Sequence, residues 1–512
     1  MKKADRIFIN GEVVTADAYN RVFEAVAISQ GRIMECGTSD AIKELAGPET
    51  EIVDLKGKCV LPGFIDSHVH FMQTGLNGLA INLREEASLD GVLQRIKEEA
   101  PKYSGSTVIR GIGYDEDKLK EKRPPNRWEL DRVCPDKPLW LCRVDSHSCV
   151  VNTRMLQLID LEGVDGVSAD GSGQPDGVLR GKANNRVRNI VYDMIDDDTR
   201  RKAAFYAQEK AFEVGITTLN ALEGGKLFHD NDFIVLNRMK DELTLDVEIF
   251  FQTVDVEKAV AMGANRVGGC IILDGSIGSR TAAIIDDYLD EAGNNGVLYY
   301  TQEEIDEFVR KAHRAGLQMS VHAIGERAID QILQAYSRVL AENPAKDHRY
   351  RIEHFELPTC EQIALAAQLG IIPSTQPAFD FYWGGENGMY AMRLGRDRAL
   401  RMNPLNSIIK GGCIILGGSD SDVTPMNPLL GIHAAVNHTN PAQRLSVIDA
   451  IRMFTINGAY GVFKEDEVGT IEKGKIADLV VLEENPLKVD ASRIKDITAR
   501  STVKRGFDVY TA

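Results

Sequence analysis

Short apolar runs with turn residues between them mark both ends of the chain. Residues 6–14 contain Asn10-Gly11, and residues 25–33 contain Gln30-Gly31. An Asn-Gly pair between two apolar runs is a strong signal for a β-hairpin. Residues 469–482 and 501–507 repeat the pattern. Because either end alone would have little core, the pattern predicts one small β-sandwich domain made from residues 1–57 plus 466–512, with two separate terminal sheets as the alternative.

The middle of the chain alternates between strand-like and helix-like patterns. Strands are predicted at residues 64–70, 216–222, 247–252, 270–274, 318–322, 351–354, 371–376 and 414–418, with helices at 200–214, 302–315 and 328–340. This alternation predicts an α/β fold, a (β/α)8 TIM-like barrel over residues 58–465. A doubly wound open sheet is the alternative, but its first strand would more typically lead into a glycine-rich phosphate loop, which is missing here.

The connection after the first predicted strand is much longer than a βα unit needs. It has strand-like pieces at residues 107–112 and 139–144 and a Gly/Asp-rich run at residues 165–177. Active sites of such barrels lie at the C-terminal ends of the strands. We therefore predict an inserted lid over the barrel mouth at about residues 75–200.

Composition and charge exclude some kinds of binding partner and indicate the cellular compartment. A net charge of −16 argues against nucleic acid or an anionic membrane as partner. No apolar run is long enough for a membrane span, and the first residues lack the apolar core of a secretory signal. The eight cysteines are scattered, without a close-spaced metal motif or a disulfide framework. These features predict a cytoplasmic protein with free thiols.

Histidines and one aspartate stand at the ends of several predicted strands. His68 and His70 point to the same side, because side chains alternate along a strand. His322 and His354 close the fifth and sixth predicted strands, and Asp420 follows the eighth. In a barrel these five side chains would converge on one mouth. Imidazoles and a carboxylate suit Zn²⁺ or a similar divalent ion.

The chain resembles the amidohydrolase superfamily, and within it the YtcJ-like branch, amidohydrolase family 3, which includes N-substituted formamide deformylases. The resemblance spans essentially the whole chain. Its motifs are LPGFIDSHVH at 61–70, LDGSIGSRTA at 273–282, VHAIGERA at 321–328, RIEH at 351–354, GSD at 418–420 and GKIADLVVL at 474–482. The resemblance implies hydrolysis of a C–N or related bond of a small molecule by metal-activated water.

The resemblance also implies roles for the strand-end residues. His68 and His70 would bind one metal ion, and His322 and His354 a second. Asp420 would bind the first ion and serve as general base and then general acid. Where this chain has Cys270, many relatives have a lysine that can be carboxylated to bridge two metal ions. A thiolate at Cys270 can bind zinc, but a buried core cysteine is the alternative. The site is therefore expected to hold either one or two Zn²⁺ ions. Other divalent metals are possible in place of zinc.

Further expectations concern the substrate and the assembly. His147, in the insertion, could reach the substrate, and Arg280 could bind an anionic group. Phe379 and Trp383 could form an apolar pocket wall. The expected activity is amide-type hydrolysis; deamination of a ring substrate, or metal-dependent binding without catalysis, is the alternative. The superfamily resemblance also implies a homo-oligomer, a dimer.

Overall fold

The computed structural model describes residues 3–103, 105 and 107–512. The chain forms two compact units. The first comprises Met1–Phe71, Gln208–Gly225 and Lys240–Ala512. The second comprises Met72–Ala207 and Lys226–Met239. In the described ranges, no helix is both long enough and apolar enough to cross a lipid bilayer.

An eight-stranded parallel sheet forms the centre of the first unit, and its strands follow one another in chain order. Beyond the last strand, Ser421 forms a parallel bridge with Val69, the last residue of the first strand, and this bridge joins the two ends of the sheet. The predicted TIM-like barrel is thereby confirmed. The barrel strands are Phe64–Val69, Ile216–Glu223, Asp246–Phe251, Arg266–Val267, Gln318–Ala323, Arg351–His354, Ile372–Thr375 and Leu416–Gly417.

The fourth barrel strand differs from its prediction. It covers Arg266–Val267, whereas the prediction placed it at residues 270–274. Gly268 and Gly269 have positive φ angles of 91° and 56°, which end the extended strand there. The following segment keeps one isolated bridge, from Ile272 to His322. Cys270 therefore lies in an irregular segment just beyond the strand.

Helices flank the barrel strands in the first unit, as the alternation predicts. The predicted helices at 200–214, 302–315 and 328–340 correspond to Asp197–Glu213, which runs on from the second unit, Gln302–Arg314 and Glu326–Glu342. Thr301 begins the second of these with a capping box that it forms with Glu304. Other helices are Ser39–Lys43, Val256–Ala261, Cys360–Leu369, Ala378–Trp383, Met389–Leu394, Arg396–Ala399, Leu405–Lys410, Pro428–Val436, Val447–Met453 and Ile456–Tyr460.

Strands from both chain ends form two further sheets in the first unit. One sheet has the order Arg32–Gly37, Ala25–Ser29, Arg6–Ile9 and Glu51–Asp54. The other has the order Phe507–Thr511, Ala499–Lys504, Leu479–Leu482, Cys59–Pro62, Glu12–Val14 and Val22–Phe23. Both contribute to one buried cluster that includes Phe8, Val26, Leu479 and Val503. The domain boundaries at 57/58 and 465/466 stay a prediction.

The second unit has a six-stranded sheet of its own. Its order is Val167–Ala169, Pro175–Arg180, Ser148–Val151, Leu139–Arg143, Ile109–Tyr114 and Ile81–Asn82. The helices are Phe71–Gly78, which starts at the last residue of the first unit, Leu89–Glu99, Arg127–Val133, Thr153–Leu156, Gly181–Met194 and Asp230–Met239. One buried cluster includes Leu139, Leu141 and Val150, and another includes Trp140 and Val151. Alternate residues along these two strands thus pack into buried clusters on opposite faces of the sheet. The role of this unit as a lid stays a prediction.

Candidate metal centre

The first and last barrel strands bring His68, His70 and Asp420 together. One carboxylate oxygen of Asp420 lies 3.2 Å from Nε2 of His68 and 3.1 Å from Nε2 of His70. The backbone fixes this approach, because the N–H of Asp420 donates to the carbonyl of His68 at 2.8 Å. A side chain at Gly418 would lie 2.7 Å from Cβ of His68, so the two strands need glycine there.

A second buried group lies around Cys270, just beyond the end of the fourth strand. Its Sγ is 3.5 Å from Nδ1 of His322 and 3.6 Å from Nε2 of His354. The ligand atoms of His68, Cys270 and His354 all lie within 4.8 Å of one another, as do those of His68, His70 and Asp420. His68 belongs to both groups, so the structure brings all six predicted ligands into one buried cluster.

The spacing and chemistry of these atoms fit a bound metal ion. In a tetrahedral zinc site, Zn–N bonds of about 2.0–2.1 Å and Zn–S bonds of about 2.3 Å put neighbouring ligand atoms about 3.3–3.6 Å apart. The separations around Asp420 and Cys270 fall close to this range. In addition, Nε2 of His68 and Oδ1 of Asp420 are buried without a well-aligned hydrogen bond. Buried polar atoms without partners are costly, and a cation between them would satisfy both.

The electrostatics of the cluster favour ionised ligands. Burial would raise the pKa of Asp420, but the charges of His68 and His70 hold it well below its usual range. Burial also opposes ionisation of Cys270, yet the charge of His322 lowers the pKa of its thiol. Burial would lower the pKa of His70, whereas hydrogen bonds with Asp420 and Cys270 raise it to about 10. Carboxylate and thiolate are the forms that bind metal, and an arriving cation would displace protons from the imidazoles.

Glu353 orients His68 from inside the barrel. Its Oε2 lies 2.6 Å from Nδ1 of His68, and its Oε1 accepts hydrogen bonds from Arg351 Nε at 2.8 Å and from Ser320. Since an ionised carboxylate only accepts, Nδ1 of His68 carries the proton and Nε2 faces the cluster. Burial would raise the pKa of Glu353, but the charge of Arg351 lowers it to about 2. In the sequence, Glu353 is visible only as part of the RIEH motif.

Asp274 is a second residue whose role the sequence did not reveal. It is fully buried, and its two oxygens accept hydrogen bonds from the backbone N–H groups of Ala283, Ile324 and Gly325 at 2.8, 3.0 and 2.8 Å. One of these oxygens lies 3.4 Å from Nε2 of His322. Asp274 thus joins the segment after the fourth strand to the loop after the fifth strand, next to His322. Its position in the LDGS motif was the available signal.

Phe379 lies against the cluster, in the helix that follows the seventh strand. Its ring stacks on that of His354, with centroids 6.0 Å apart and 18° between the planes. Trp383 packs against Phe379 with centroids 4.7 Å apart. The two aromatic rings therefore extend from the cluster along one side. Their contact with substrate stays a prediction.

Arg280 and His147 are placed less favourably for their predicted roles. The guanidinium of Arg280 forms two hydrogen bonds with Asp290, at 3.0 and 2.8 Å, and lies 3.5 Å from Glu291. These two carboxylates match its charge, and the binding of an anionic group by Arg280 stays a prediction. His147 is an exposed residue at a hairpin tip of the second unit, and its contact with substrate stays a prediction.

One further histidine corrects the sequence interpretation. His313 stands beside Arg314 in a predicted helix, a setting in which the sequence predicts a solvated surface residue. It is instead buried, with Nδ1 2.5 Å from the hydroxyl of Tyr350 and Nε2 2.9 Å from the carbonyl oxygen of Asn343. His313 is the last buried position of the helix Gln302–Arg314, and the sequence of the helix alone does not show that this position faces Asn343 and Tyr350.

Comparison with known proteins tests the inferred resemblance. The chain is 30% identical to the putative amidohydrolase YtcJ of Bacillus subtilis, over 95% of this chain and 96% of that protein. It is 27% identical to the N-substituted formamide deformylase of Arthrobacter pascens, over 98% of this chain and 97% of that protein. The crystal structure of an uncharacterised metal-dependent hydrolase from Pyrococcus furiosus superposes with a TM-score of 0.81 at 27% identity, covering 94% of this chain and 100% of that one.

These similarities extend over the whole barrel rather than one motif. The model of the amidohydrolase family matches residues 51–510, a range that contains every strand of the barrel and all six residues of the cluster. The resemblance seen in the sequence motifs is confirmed. Because one match takes in the sheet and the strand-end residues together, the chain is a metal-dependent hydrolase of the amidohydrolase family.

Proposed function

We propose that the protein hydrolyses an amide-type C–N bond of a small molecule, at a zinc site formed by the buried cluster. The observation that carries the proposal is the position of Asp420, whose Oδ1 lies 3.2 and 3.1 Å from Nε2 of His68 and His70. A carboxylate held between two imidazoles at the end of a barrel strand can both bind a cation and exchange a proton. The similarity to a formamide deformylase supports a C–N substrate.

Two sets of residues would hold the metal. His68, His70 and Asp420 would hold one ion, and His322 and His354 a second, with Cys270 between the sets. Thiolate and imidazole ligands favour zinc over manganese or magnesium. When bound, a zinc ion acidifies water and polarises a carbonyl group. Whether one or two ions are bound depends on Cys270.

Asp420 would move the proton in the reaction. Its carboxylate takes a proton from the attacking water, and the resulting acid gives that proton to the departing nitrogen. Bond cleavage thus leaves a carboxylic acid and an amine, with the added water shared between them. Glu353 contributes indirectly, because its hydrogen bond keeps Nε2 of His68 directed at the cluster. Phe379 and Trp383 would limit the shape of the substrate beside His354.

The test combines metal analysis with a substrate panel. Purified protein is analysed for bound metals and assayed with N-formyl and N-acyl compounds, esters and ring substrates of deaminases. We expect zinc to co-purify and turnover to occur with the amides. Turnover confined to ring amines would identify a deaminase, and tight binding without turnover on any compound would identify a binding protein. Either result would overturn the proposal.

The proposed assembly is a homodimer, by analogy with the superfamily. Light scattering at micromolar concentration measures this directly. A single species near the chain mass of 56.5 kDa would contradict it.

A further inference from the structure

Two cysteines of the second unit face each other across neighbouring strands. Cys142 lies in Leu139–Arg143 and Cys149 in Ser148–Val151, and the two are direct partners in the antiparallel pairing. Residues directly opposite each other point to the same face of a sheet. Accordingly, both cysteines belong to the buried cluster that contains Trp140 and Val151, the residues two positions away on each strand.

The hydrogen-bond pattern of this hairpin sets the spacing of the two cysteines. The N–H of Asn152 donates to the carbonyl of Leu139, and the N–H of Leu139 donates to the side-chain oxygen of Asn152, so these two residues occupy a hydrogen-bonded position of the ladder. Hydrogen-bonded and non-hydrogen-bonded pairs alternate along an antiparallel ladder, and Cys142 and Cys149 are three positions further on. They are therefore a non-hydrogen-bonded pair, for which the Cα atoms are about 4.5 Å apart. A disulfide requires a Cα separation of about 4.4–6.8 Å.

We propose that Cys142 and Cys149 are a redox-active pair that closes to a disulfide when the protein meets hydrogen peroxide. The thiolate of Cys142 attacks one peroxide oxygen, giving a sulfenic acid and one water. The sulfur of Cys149 then attacks the sulfenic sulfur and expels its oxygen as a second water. Overall, two thiols and one peroxide give one S–S bond and two water molecules, with sulfur oxidised and peroxide oxygen reduced.

The order of these steps follows from burial. Cys142 is 7% exposed, whereas Cys149 is fully buried, so the oxidant reaches Cys142 first. Burial raises the pKa of both thiols. The reaction is therefore slow at neutral pH and becomes faster as the pH rises, because the thiolate is the nucleophile.

Oxidation would alter the hairpin between the two cysteines. The bond would close a ring over residues 142–149, and the tip of that hairpin carries His147. His147 is the residue of the second unit with a predicted substrate role. The proposal concerns a modification and is independent of the hydrolytic reaction, so each can fail without the other.

The experiment is peptide mapping of the full chain after peroxide treatment at mildly alkaline pH. Free thiols are alkylated, and the protein is digested with trypsin without reduction. Cleavage after Arg143 places Cys142 in peptide 133–143 and Cys149 in peptide 144–154. We expect these peptides to be linked, lighter than their sum by two hydrogen atoms, and to separate on addition of dithiothreitol.

Peptide 133–143 also contains Cys134, which provides the matched control. The link should persist in Cys134→Ala and disappear in Cys142→Ala. If the second variant does not fold, fragmentation of the linked wild-type peptides locates the bond. Unlinked peptides that carry sulfinic acid, or a bond from Cys134 to Cys149, would overturn the proposal.

Discussion

Asp420 is the residue whose substitution tests the hydrolytic chemistry most directly. In Asp420→Asn the side chain keeps its size and an oxygen that can face His68 and His70, but an amide cannot accept the proton. We expect kcat to fall by about 10²–10⁴-fold, with a smaller change in KM. Steady-state kinetics and metal content are measured on the same samples. Asp290→Asn, at a partly exposed carboxylate paired with Arg280, is the matched control.

The outcome separates the two roles of Asp420. A low kcat at normal metal content supports its role as base, whereas a low kcat with lost metal indicates a ligand only. Wild-type kcat in the asparagine variant would rule out the proposed proton transfer.

Glu353→Gln tests whether the hydrogen bond to His68 supports metal binding. The variant keeps the shape of the side chain but loses the charge that holds the proton on Nδ1 of His68 and pairs with Arg351. We expect zinc affinity to fall by about 10–100-fold, measured by competition with a chelating dye. Glu361→Gln, at an exposed carboxylate in the first turn of the helix Cys360–Leu369, is the control. Unchanged affinity together with a lower melting temperature would leave Glu353 a purely structural role.

Cys270→Ser tests whether the thiolate is a metal ligand. If it is, the thiol should resist alkylation while metal is bound and should react after chelation. The serine variant should then lose metal from the site of His322 and His354, with the His68–His70 site less affected, and should discriminate less between zinc and manganese. Metal titration of both proteins, compared with their melting curves, gives the answer. An unchanged metal-to-protein ratio with reduced stability would make Cys270 a packing residue.

The candidate ligands were predictable because residue type and strand register pointed to the same place. Side chains at the C-terminal ends of barrel strands converge on one mouth, and His68, His322 and His354 were all predicted to lie at such ends. The role of Glu353 was not predictable, because a carboxylate one position before a ligand is equally compatible with a residue that faces solvent and with one that orients a ligand. Only the closed sheet shows that it points inward and reaches a strand far away in the chain.

At the level of secondary structure elements, alternating patterns predicted the barrel well. Each predicted barrel strand except the fourth overlaps an observed strand. The fourth failed because the apolar run at residues 270–274 has strand-like composition, while the actual pairing is made by Arg266 and Val267 before two glycines. Burial in an irregular segment produces the same sequence pattern as a buried strand.

Gly418→Ala tests how the closure of the sheet supports the metal site. An added Cβ would lie 2.7 Å from both Cβ and the backbone nitrogen of His68, at the contact between the last and first strands. The strands must shift apart, which we expect to cost about 1–3 kcal/mol of unfolding free energy and to lower metal content. Urea unfolding and metal analysis measure both. Gly171→Ala, where the Cβ meets open space, is the control, and equal behaviour of the two variants would contradict this account.

At the scale of the whole molecule, the two chain ends depend on each other. The strand Cys59–Pro62 pairs with Leu479–Leu482 on one side and with Glu12–Val14 on the other. The sequence predicted that the ends meet, because each lacks a core of its own. It did not predict their register, which follows from packing in a cluster shared by both sheets. Gly63 alone separates this paired strand from the barrel strand that contains His68.

Deletion of residues 466–512 should therefore affect the metal site, although the deleted residues contain none of its ligands. It removes the partner strand of Cys59–Pro62 and exposes the apolar residues beneath it, so the first barrel strand loses its support. We expect low soluble yield and little bound metal. Deletion of residues 507–512 alone is the control, because Phe507–Thr511 is an edge strand with exposed and half-buried residues. That shorter deletion should leave metal content near wild type. A folded, metal-replete protein lacking residues 466–512 would show that the barrel folds independently of the C-terminal strands.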